Sequence, residues 1–176
     1  TLKLDHPPRF DPGPGIGDDW FYVMLQKTWM LQQVPVAVIL YLAGGTPWLV
    51  WGVLVRVMVG VHMHWLVGYF CHSVGPQDWI VDDGAVQAHN VPWAAIPSMG
   101  ESWHNNHHAF PASCRHGLYP GQIDLGFRFV QLLQILGLAW GIQTPDTLPP
   151  RPGITPLSEA AKKTFAMQHQ RVTQIG

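Results

Sequence analysis

The fold is decided by one stretch, Trp48–His72, which reads WLVWGVLVRVMVGVHMHWLVGYFCH. At ~1.5 Å per residue this stretch makes a helix of roughly 37 Å, which is long enough to cross a lipid bilayer. Arg56 is its only Asp, Glu, Lys or Arg, and the same holds for the wider run from Thr28 to Gln77. Soluble domains rarely leave so long a stretch uncharged. The pattern therefore predicts a transmembrane helix.

A second apolar segment precedes this helix. We expect a helix that is capped by Asp18 or Asp19, kinked at Pro35 and ended by a turn at Gly44–Pro47. Tryptophans near the ends of both segments are placed like interfacial anchors. Together the segments predict a transmembrane hairpin over about residues 20–72, and a buried soluble helical hairpin is the alternative.

Within the second helix, every fourth residue from position 52 is small or polar. These residues form a stripe along the helix, because positions four apart lie on adjoining surface. Small residues allow another helix to approach closely, and polar ones in a membrane helix face the protein interior or a cavity. The stripe consists of Gly52, Arg56, Gly60, His64, Gly68 and His72.

Composition excludes several classes of protein. The chain has 176 residues, which suits one domain, and a net charge of −1, so no basic surface is available to attract nucleic acid. Charged residues make up 12% of the chain, about half the usual share. Two cysteines without a CxxC motif exclude a disulfide framework.

The remaining sequence predicts shorter elements. Residues 1–18 are rich in Pro and Gly and are expected to form a loop. Phe127–Trp140 is expected to form a helix that is interfacial or packed. A Pro-rich linker follows, after which Thr155 as N-cap and Pro156 at the first helical position open a short polar tail helix, expected to be a solvated appendage.

The clearest chemical signal is a cluster of histidines in GESWHNNHH, residues 100–108. On a helix, His104, His107 and His108 project from one face, because they are spaced i, i+3 and i+4. Neutral imidazole is a ligand for Fe, Zn, Cu or Ni, so the spacing predicts a metal site. His72 is the natural fourth ligand if the chain folds back, and Glu101 is placed to accept an imidazole N–H.

Six further histidines lack metal-ligand spacing or lie near the chain ends. We expect structural roles for the four internal ones. The six are His6, His62, His64, His89, His116 and His169.

The box HNNHHAFP, residues 104–111, resembles the last histidine box of membrane-bound fatty acid (acyl-CoA) desaturases of the stearoyl-CoA desaturase type, in particular their bacterial members. It is preceded by GESW and followed by Arg115-His116-Gly117 and Asp124. The upstream HWLVGYFCHS resembles a transmembrane segment that ends in an additional iron ligand, which corresponds to His72. The resemblance covers about residues 18–150.

The resemblance implies an all-α membrane protein whose cytosolic cap holds two irons through histidines. It implies the insertion of a cis double bond into an acyl-CoA or acyl lipid, with O2 and two electrons from a ferredoxin, rubredoxin or cytochrome b5-like donor. Membrane lipid is a further partner, and the bacterial inner membrane is the expected location, with a cytosolic catalytic face. The ligands would be His72, His104, His107 and His108, supported by Glu101, Asn105, Asn106 and Gly68.

In domain terms, residues 1–150 would be the C-terminal part of a desaturase domain, with the hairpin at about 20–72 and a histidine-box cap at about 73–143. Residues 151–176 would be a polar tail. The family's first two histidine boxes, of the HxxxxH and HxxHH kinds, are absent, and Gly68 stands where animal members carry an asparagine. We therefore expect the isolated chain to be incomplete as an enzyme.

Three alternatives remain open. The first is a hydroxylase or ketolase of the wider group of histidine-box membrane oxygenases. The second is a truncated, non-catalytic membrane fragment that binds metal or has a structural role. A soluble three-histidine zinc hydrolase is weaker, because HExxH is absent and the apolar hairpin would have no explanation.

Overall fold

A computed structural model describes residues 17–82, 84 and 86–175, with side chains as far as residue 170. Most of the loop predicted for residues 1–18 lies outside the described residues. The chain divides into two compact units, Thr1–Gly60 and Val61–Gly176.

The described chain is mostly helical and carries one small sheet, so the all-α prediction needs that correction. The helices are α1 (Trp20–Thr28), α2 (Gln33–Leu49), α3 (Arg56–Cys71), α4 (His104–Ala109), α5 (Leu125–Ile135) and α6 (Glu159–Ile175). A π-helical segment, Val50–Val55, joins α2 to α3, and Pro92–Ala94 forms a short 3₁₀ helix. The strands are β1 (Trp79–Val81) and β2 (Ile154–Pro156).

In the first unit, the helix expected from residue 20 onward is divided into α1 and α2. Asp19 caps α1, because its carboxylate accepts a hydrogen bond from the Phe21 N–H at 2.8 Å. The interruption, at residues 29–32, lies before Pro35 rather than at it. Pro35 falls in the first turn of α2, where a missing N–H costs little, so the predicted kink is replaced by a new helix start.

The turn predicted at Gly44–Pro47 is confirmed by a break inside α2. Gly44 and Gly45 have non-helical backbone angles there. Beyond it the chain reverses: Leu40 packs so closely on Gly52 that an added Cβ would lie 2.5 Å from the leucine Cδ1. Further from the turn, the Arg56 guanidinium donates a hydrogen bond to the Gln33 side-chain oxygen.

Among the described residues, one helical run meets the length and apolar composition needed to cross a membrane. It is Gln33–Cys71, 39 residues that include the break at Gly44 and Gly45. Its large apolar side chains are mostly exposed, as Leu42 at 78% and Trp51 at 70% illustrate. A core helix of a soluble domain would bury such side chains. Exposed apolar surface on this scale is typical of contact with lipid or with further protein.

The second unit has a core built around the sheet. β1 pairs antiparallel with β2, with Trp79 opposite Pro156 and Val81 opposite Ile154. Trp79 is fully buried and its ring packs edge-on against Phe110 at 5.1 Å between centroids. The core of this unit consists of Trp79, Val81, Ala109, Phe110, Ile154 and Ala161.

This packing corrects the prediction for the tail. Thr155 and Pro156 belong to β2, and the α6 N-cap is Ser158, whose hydroxyl accepts a hydrogen bond from the Ala161 N–H at 3.1 Å. Ala161 is fully buried, so the start of α6 is part of the core instead of a solvated appendage.

Helix α5 is shorter than the predicted Phe127–Trp140. It starts earlier, because the Asp124 carboxylate accepts a hydrogen bond from the Phe127 N–H at 2.8 Å. It ends at Ile135, where Gly137 adopts a positive φ of 72° and Leu138 N–H bonds back to the Leu133 carbonyl at 2.8 Å. This is the Schellman arrangement that closes a helix.

A second, smaller apolar cluster packs residues 91–94 against the end of α3. Cys71, Val91 and Ala94 are buried together, with Val67 and Phe70 packed against them. The His89 N–H donates a hydrogen bond to the Cys71 carbonyl at 2.7 Å. These contacts return the chain to the end of α3, where His72 lies.

Candidate metal centre

The short helix α4 has one buried polar side and one side of histidines. Asn105 and Asn106 are at most 1% exposed, whereas His104, His107 and His108 are half-buried. The Asn90 side-chain oxygen accepts from the Asn105 N–H at 3.1 Å and from the Asn106 N–H at 3.4 Å. Asn90 therefore satisfies backbone donors in the first turn of α4, as a capping side chain does. The helical spacing predicted for the box is confirmed.

The end of α3 brings His72 to this helix. Its Nε2 lies 3.2 Å from the His104 Nε2, and the His104 Nε2 lies 3.2 Å from the His108 Nε2. One nitrogen from each of the three rings lies within 4.8 Å of the others. The expected return of the chain to His72 is thus present in the structure.

His107 lies apart from this group. Its ring centroid is 5.5 Å from that of His104 and 5.9 Å from that of His108. It is 4.7 Å from the ring centroid of His116, a residue for which we predicted only a structural role. The structure therefore sorts the four predicted ligands into a group of three and one separate histidine. The RHG motif after the box was the available signal for His116.

The histidines of α4 favour the neutral form. Burial, followed by the neighbouring imidazoles, lowers the pKa of His104 to about 3. Burial and then His116 lower the pKa of His107 to about 4. The pKa of His108 is also lowered, chiefly by burial and then by His72 and Arg151. Neutral imidazole is the metal-binding form.

The geometry of the three-histidine group fits a metal ion. Ligands at ~2.0–2.1 Å from one ion lie roughly 3.0–3.4 Å from each other, which matches the two Nε2 distances of 3.2 Å. Within the described residues, the Nδ1 atoms of His72 and His104 are buried without a hydrogen-bond partner. A metal-bound histidine usually donates that second N–H to an acceptor. The three imidazole nitrogens therefore fit one metal ion. The described residues provide no acceptor for the second ring nitrogens of His72 and His104.

Glu101 and Gly68 line a cavity beside His104. The cavity has a volume of about 340 Å³, and His64 and Ser98 also contribute to its wall. An added Cβ at Gly68 would meet nothing within 4 Å. Glu101 is exposed, and no hydrogen bond joins its carboxylate to an imidazole in the part of the chain that the structure describes.

Asn105 holds backbone rather than an imidazole. Its side-chain oxygen accepts from the Asp78 N–H at 2.8 Å and the Trp79 N–H at 2.9 Å. Its amide donates to the Trp79 carbonyl at 2.8 Å and the Ala88 carbonyl at 2.9 Å. Asn105 therefore fixes α4 to β1 and to the loop that follows it.

Asn106 links the box to the segment after it. Its amide donates to the His116 carbonyl at 2.8 Å and to the Gln122 side-chain oxygen at 3.0 Å. Arg151, which sequence reasoning missed, donates to the carbonyls of His108 and Ala109 at the end of α4. A lone arginine in a Pro-rich linker gives no local sign of this contact.

Comparison with known proteins finds desaturases. The chain is 44% identical over 126 residues to the Delta-9 desaturase-like 2 protein of Arabidopsis thaliana, covering 72% of this chain and 41% of that relative. It is 41% identical over 140 residues to the Acyl-CoA C20 Delta5-desaturase of Anemone leveillei, covering 80% of this chain and 44% of that relative.

A third relative is the chloroplastic palmitoyl-monogalactosyldiacylglycerol delta-7 desaturase of Arabidopsis thaliana. It is 43% identical over 126 residues, covering 72% of this chain and 33% of the relative. The chain spans less than half the length of these relatives. No family model matches the chain, and no solved structure matches it. The similarity is thus to fatty acid desaturases, and it covers most of this chain.

Proposed function

We propose that this chain forms part of a membrane-bound fatty acyl desaturase. The observation that carries the proposal is the convergence of His72, His104 and His108 at the end of an apolar helix long enough to cross a membrane. The sequence identity of 41–44% to proteins named as desaturases supports it.

We propose iron as the metal, with His72, His104 and His108 as ligands of one ion and His107 directed to a second. Iron with O2 supplies the oxidising power that an unactivated methylene C–H bond demands and that side-chain acids and bases lack. The chain's own residues hold neutral imidazoles in place through the Asn105 and Asn106 hydrogen bonds. Four histidines cannot fill two coordination shells, so we propose that further ligands come from sequence such as the longer relatives contain.

The substrate is an acyl chain on CoA or on a lipid. The names of the relatives include an acyl-CoA desaturase and a desaturase of a palmitoyl lipid, so they support both carriers. The electron donor would be a ferredoxin, rubredoxin or cytochrome b5-like protein. The membrane would be crossed more than once, with the histidines on the cytosolic side. Location in a bacterial inner membrane stays a prediction, and the three relatives named above are plant proteins, one of them chloroplastic.

The test is product analysis in a host that makes saturated acyl chains and expresses the protein containing this chain. We expect a monounsaturated product that falls at least 100-fold in His104→Ala and is unchanged in His169→Ala, since His169 stacks on Phe165 in α6. Undiminished desaturation in His104→Ala would contradict the proposal. A hydroxylated product would instead favour the hydroxylase alternative.

A further inference from the structure

Helix α5 presents an apolar face that no described part of the chain covers. This α5 apolar face consists of Phe129, Leu132, Ile135 and the C-cap Leu136, which lie together because they are three, four or seven positions apart. Their side chains are 49–82% exposed. Gln134 lies on the opposite side of the helix. Exposed apolar surface of this kind marks contact with lipid or with protein.

The length and burial of α5 restrict what this face can do. Its 11 residues make a helix of roughly 16 Å, about half the thickness of the hydrocarbon core of a bilayer. None of its residues is buried, so α5 does not fill a core. A short apolar helix that neither crosses the membrane nor fills a core is typical of the lipid–water interface.

The charges around the α5 apolar face suit a phospholipid surface. Residues 125–145 contain no acidic residue, and Arg128 is their only charged one. Arg128 lies seven positions before Ile135, at the N-terminal end of the same face, and it forms no ion pair with any described residue. An arginine in this position reaches lipid phosphates while the apolar side chains lie among acyl chains. Beyond the helix, the exposed Trp140 is of the residue type that concentrates at membrane interfaces.

Contacts at the start of α5 place it close to the end of α3. The Cys71 thiol donates a hydrogen bond to the Ser102 carbonyl at 3.8 Å. The Gly126 N–H, in the first turn of α5, donates to the Met99 carbonyl at 2.7 Å. Residues 99–102 therefore join the two helices. Because the proposed function places α3 in the membrane, α5 begins within one layer of residues of a helix that meets lipid.

We infer that α5 lies in the lipid–water interface, where its apolar face contacts acyl chains and Arg128 binds lipid phosphate groups. The inference rests on the membrane location in the proposed function and adds a second lipid contact to it. This contact belongs to the unit that holds the histidines, so that unit meets the membrane at the end of α3 and again along α5.

Photo-cross-linking tests the inference. The photoreactive residue p-benzoylphenylalanine replaces Ile135 in the protein containing this chain, in nanodiscs of phosphatidylcholine with about a quarter phosphatidylglycerol. We expect the peptide around position 135 to gain the mass of one phospholipid after illumination. The matched control has the same replacement at Gln134, which is also exposed but lies on the opposite side of α5. It should give about one fifth of the lipid adduct or less.

The other possible covers of this face give different products. A cross-link from position 135 to another segment of the protein, or to a second copy, overturns the inference. Equal lipid adducts at positions 134 and 135 overturn it as well.

The same residue in place of Leu42, which is 78% exposed on α2, tests the membrane-crossing run separately. A lipid adduct at Leu42 with none at Ile135 overturns only the α5 inference. The absence of an adduct at Leu42 counts against the membrane location in the proposed function.

Charge variants test the contact between Arg128 and lipid phosphate. In Arg128→Glu the lipid adduct at Ile135 should fall about fivefold, because a carboxylate then faces the phosphates. Arg128→Lys keeps the positive charge and should keep the yield. Neither variant should change the thermal unfolding of the protein, because Arg128 is exposed. An unchanged yield in Arg128→Glu overturns the assignment of Arg128 to lipid phosphate.

Discussion

Replacing Asn105 with alanine tests whether the box asparagines act as scaffold. The side chain is fully buried and makes four hydrogen bonds, all to backbone groups of Asp78, Trp79 and Ala88. The Ala88 carbonyl also accepts from the Gln77 amide at 3.0 Å, so it keeps a partner in the variant. Three bonds are then lost without compensation, and at about 1 kcal/mol each the unfolding free energy falls by about 3 kcal/mol.

Thermal unfolding in detergent, followed by tryptophan fluorescence, measures this loss. The buried Trp79 contributes to this signal, because it packs on Phe110 in the core that Asn105 holds together. A loss of about 3 kcal/mol corresponds to a Tm lower by about 6–12 °C for a chain of this size. The matched control is Gln134→Ala on the exposed surface of α5, which should change stability by less than about 0.5 kcal/mol.

A third variant separates the two halves of the amide. Asn105→Asp keeps an acceptor for the Asp78 and Trp79 N–H groups but turns a carboxylate oxygen toward two carbonyls. We expect it to be at least as destabilising as Asn105→Ala, because a buried charge then faces acceptors. Co(II) affinity at the three-histidine site should fall about tenfold in both variants, the low end for residues that support ligands. A Tm for Asn105→Ala equal to that of Gln134→Ala would refute the reasoning.

Three other predictions concern the same unit. Gly117→Ala should lower the unfolding free energy by about 1–3 kcal/mol in thermal melts, because an added Cβ would lie 2.7 Å from a backbone oxygen. Gly60→Ala is the control and should leave the unfolding free energy unchanged, because an added Cβ there meets nothing within 4 Å. Arg151→Met removes the donor to the last carbonyls of α4 and should lower the unfolding free energy by about 1–3 kcal/mol. It should also weaken Co(II) binding at the three-histidine site, and unchanged Co(II) binding would contradict this role. The metal-free chain should lose stability as pH falls from about 6.5 toward 4. In this range histidines of the unfolded chain bind protons, whereas the folded His104 and His107 stay neutral because their pKa values are lowered. Melts at pH 7.5, 6 and 5 measure this slope, which should be shallower when both histidines are replaced by alanine.

Local patterns predicted the parts of the fold that depend on one segment at a time. The apolar run to His72 predicts a helix because composition and length act within it, and α3 ends at Cys71, one residue before the predicted end. The i, i+3, i+4 spacing places the three box histidines on one helix face for the same reason. The turn at Gly44–Pro47 follows from the conformational freedom of glycine.

The predictions of local structure were wrong where contacts with residues far along the chain decide it. Thr155 and Pro156 look like a helix start, yet they pair with β1, some 75 residues earlier, because Ile154 can be buried against Trp79. Pro35 looks like a kink, yet the chain restarts a helix just before it. Local propensity is a weak prior, and tertiary burial overrides it.

The candidate site shows the same division. The sequence by itself determined which residues could bind a metal, because imidazoles at helical spacing share a face whatever surrounds them. Only the tertiary structure decided how they are grouped: His72 with His104 and His108, and His107 with His116. That choice depends on where the end of α3 and the Asp124-bound loop meet α4, and these contacts join residues that lie far apart in the chain.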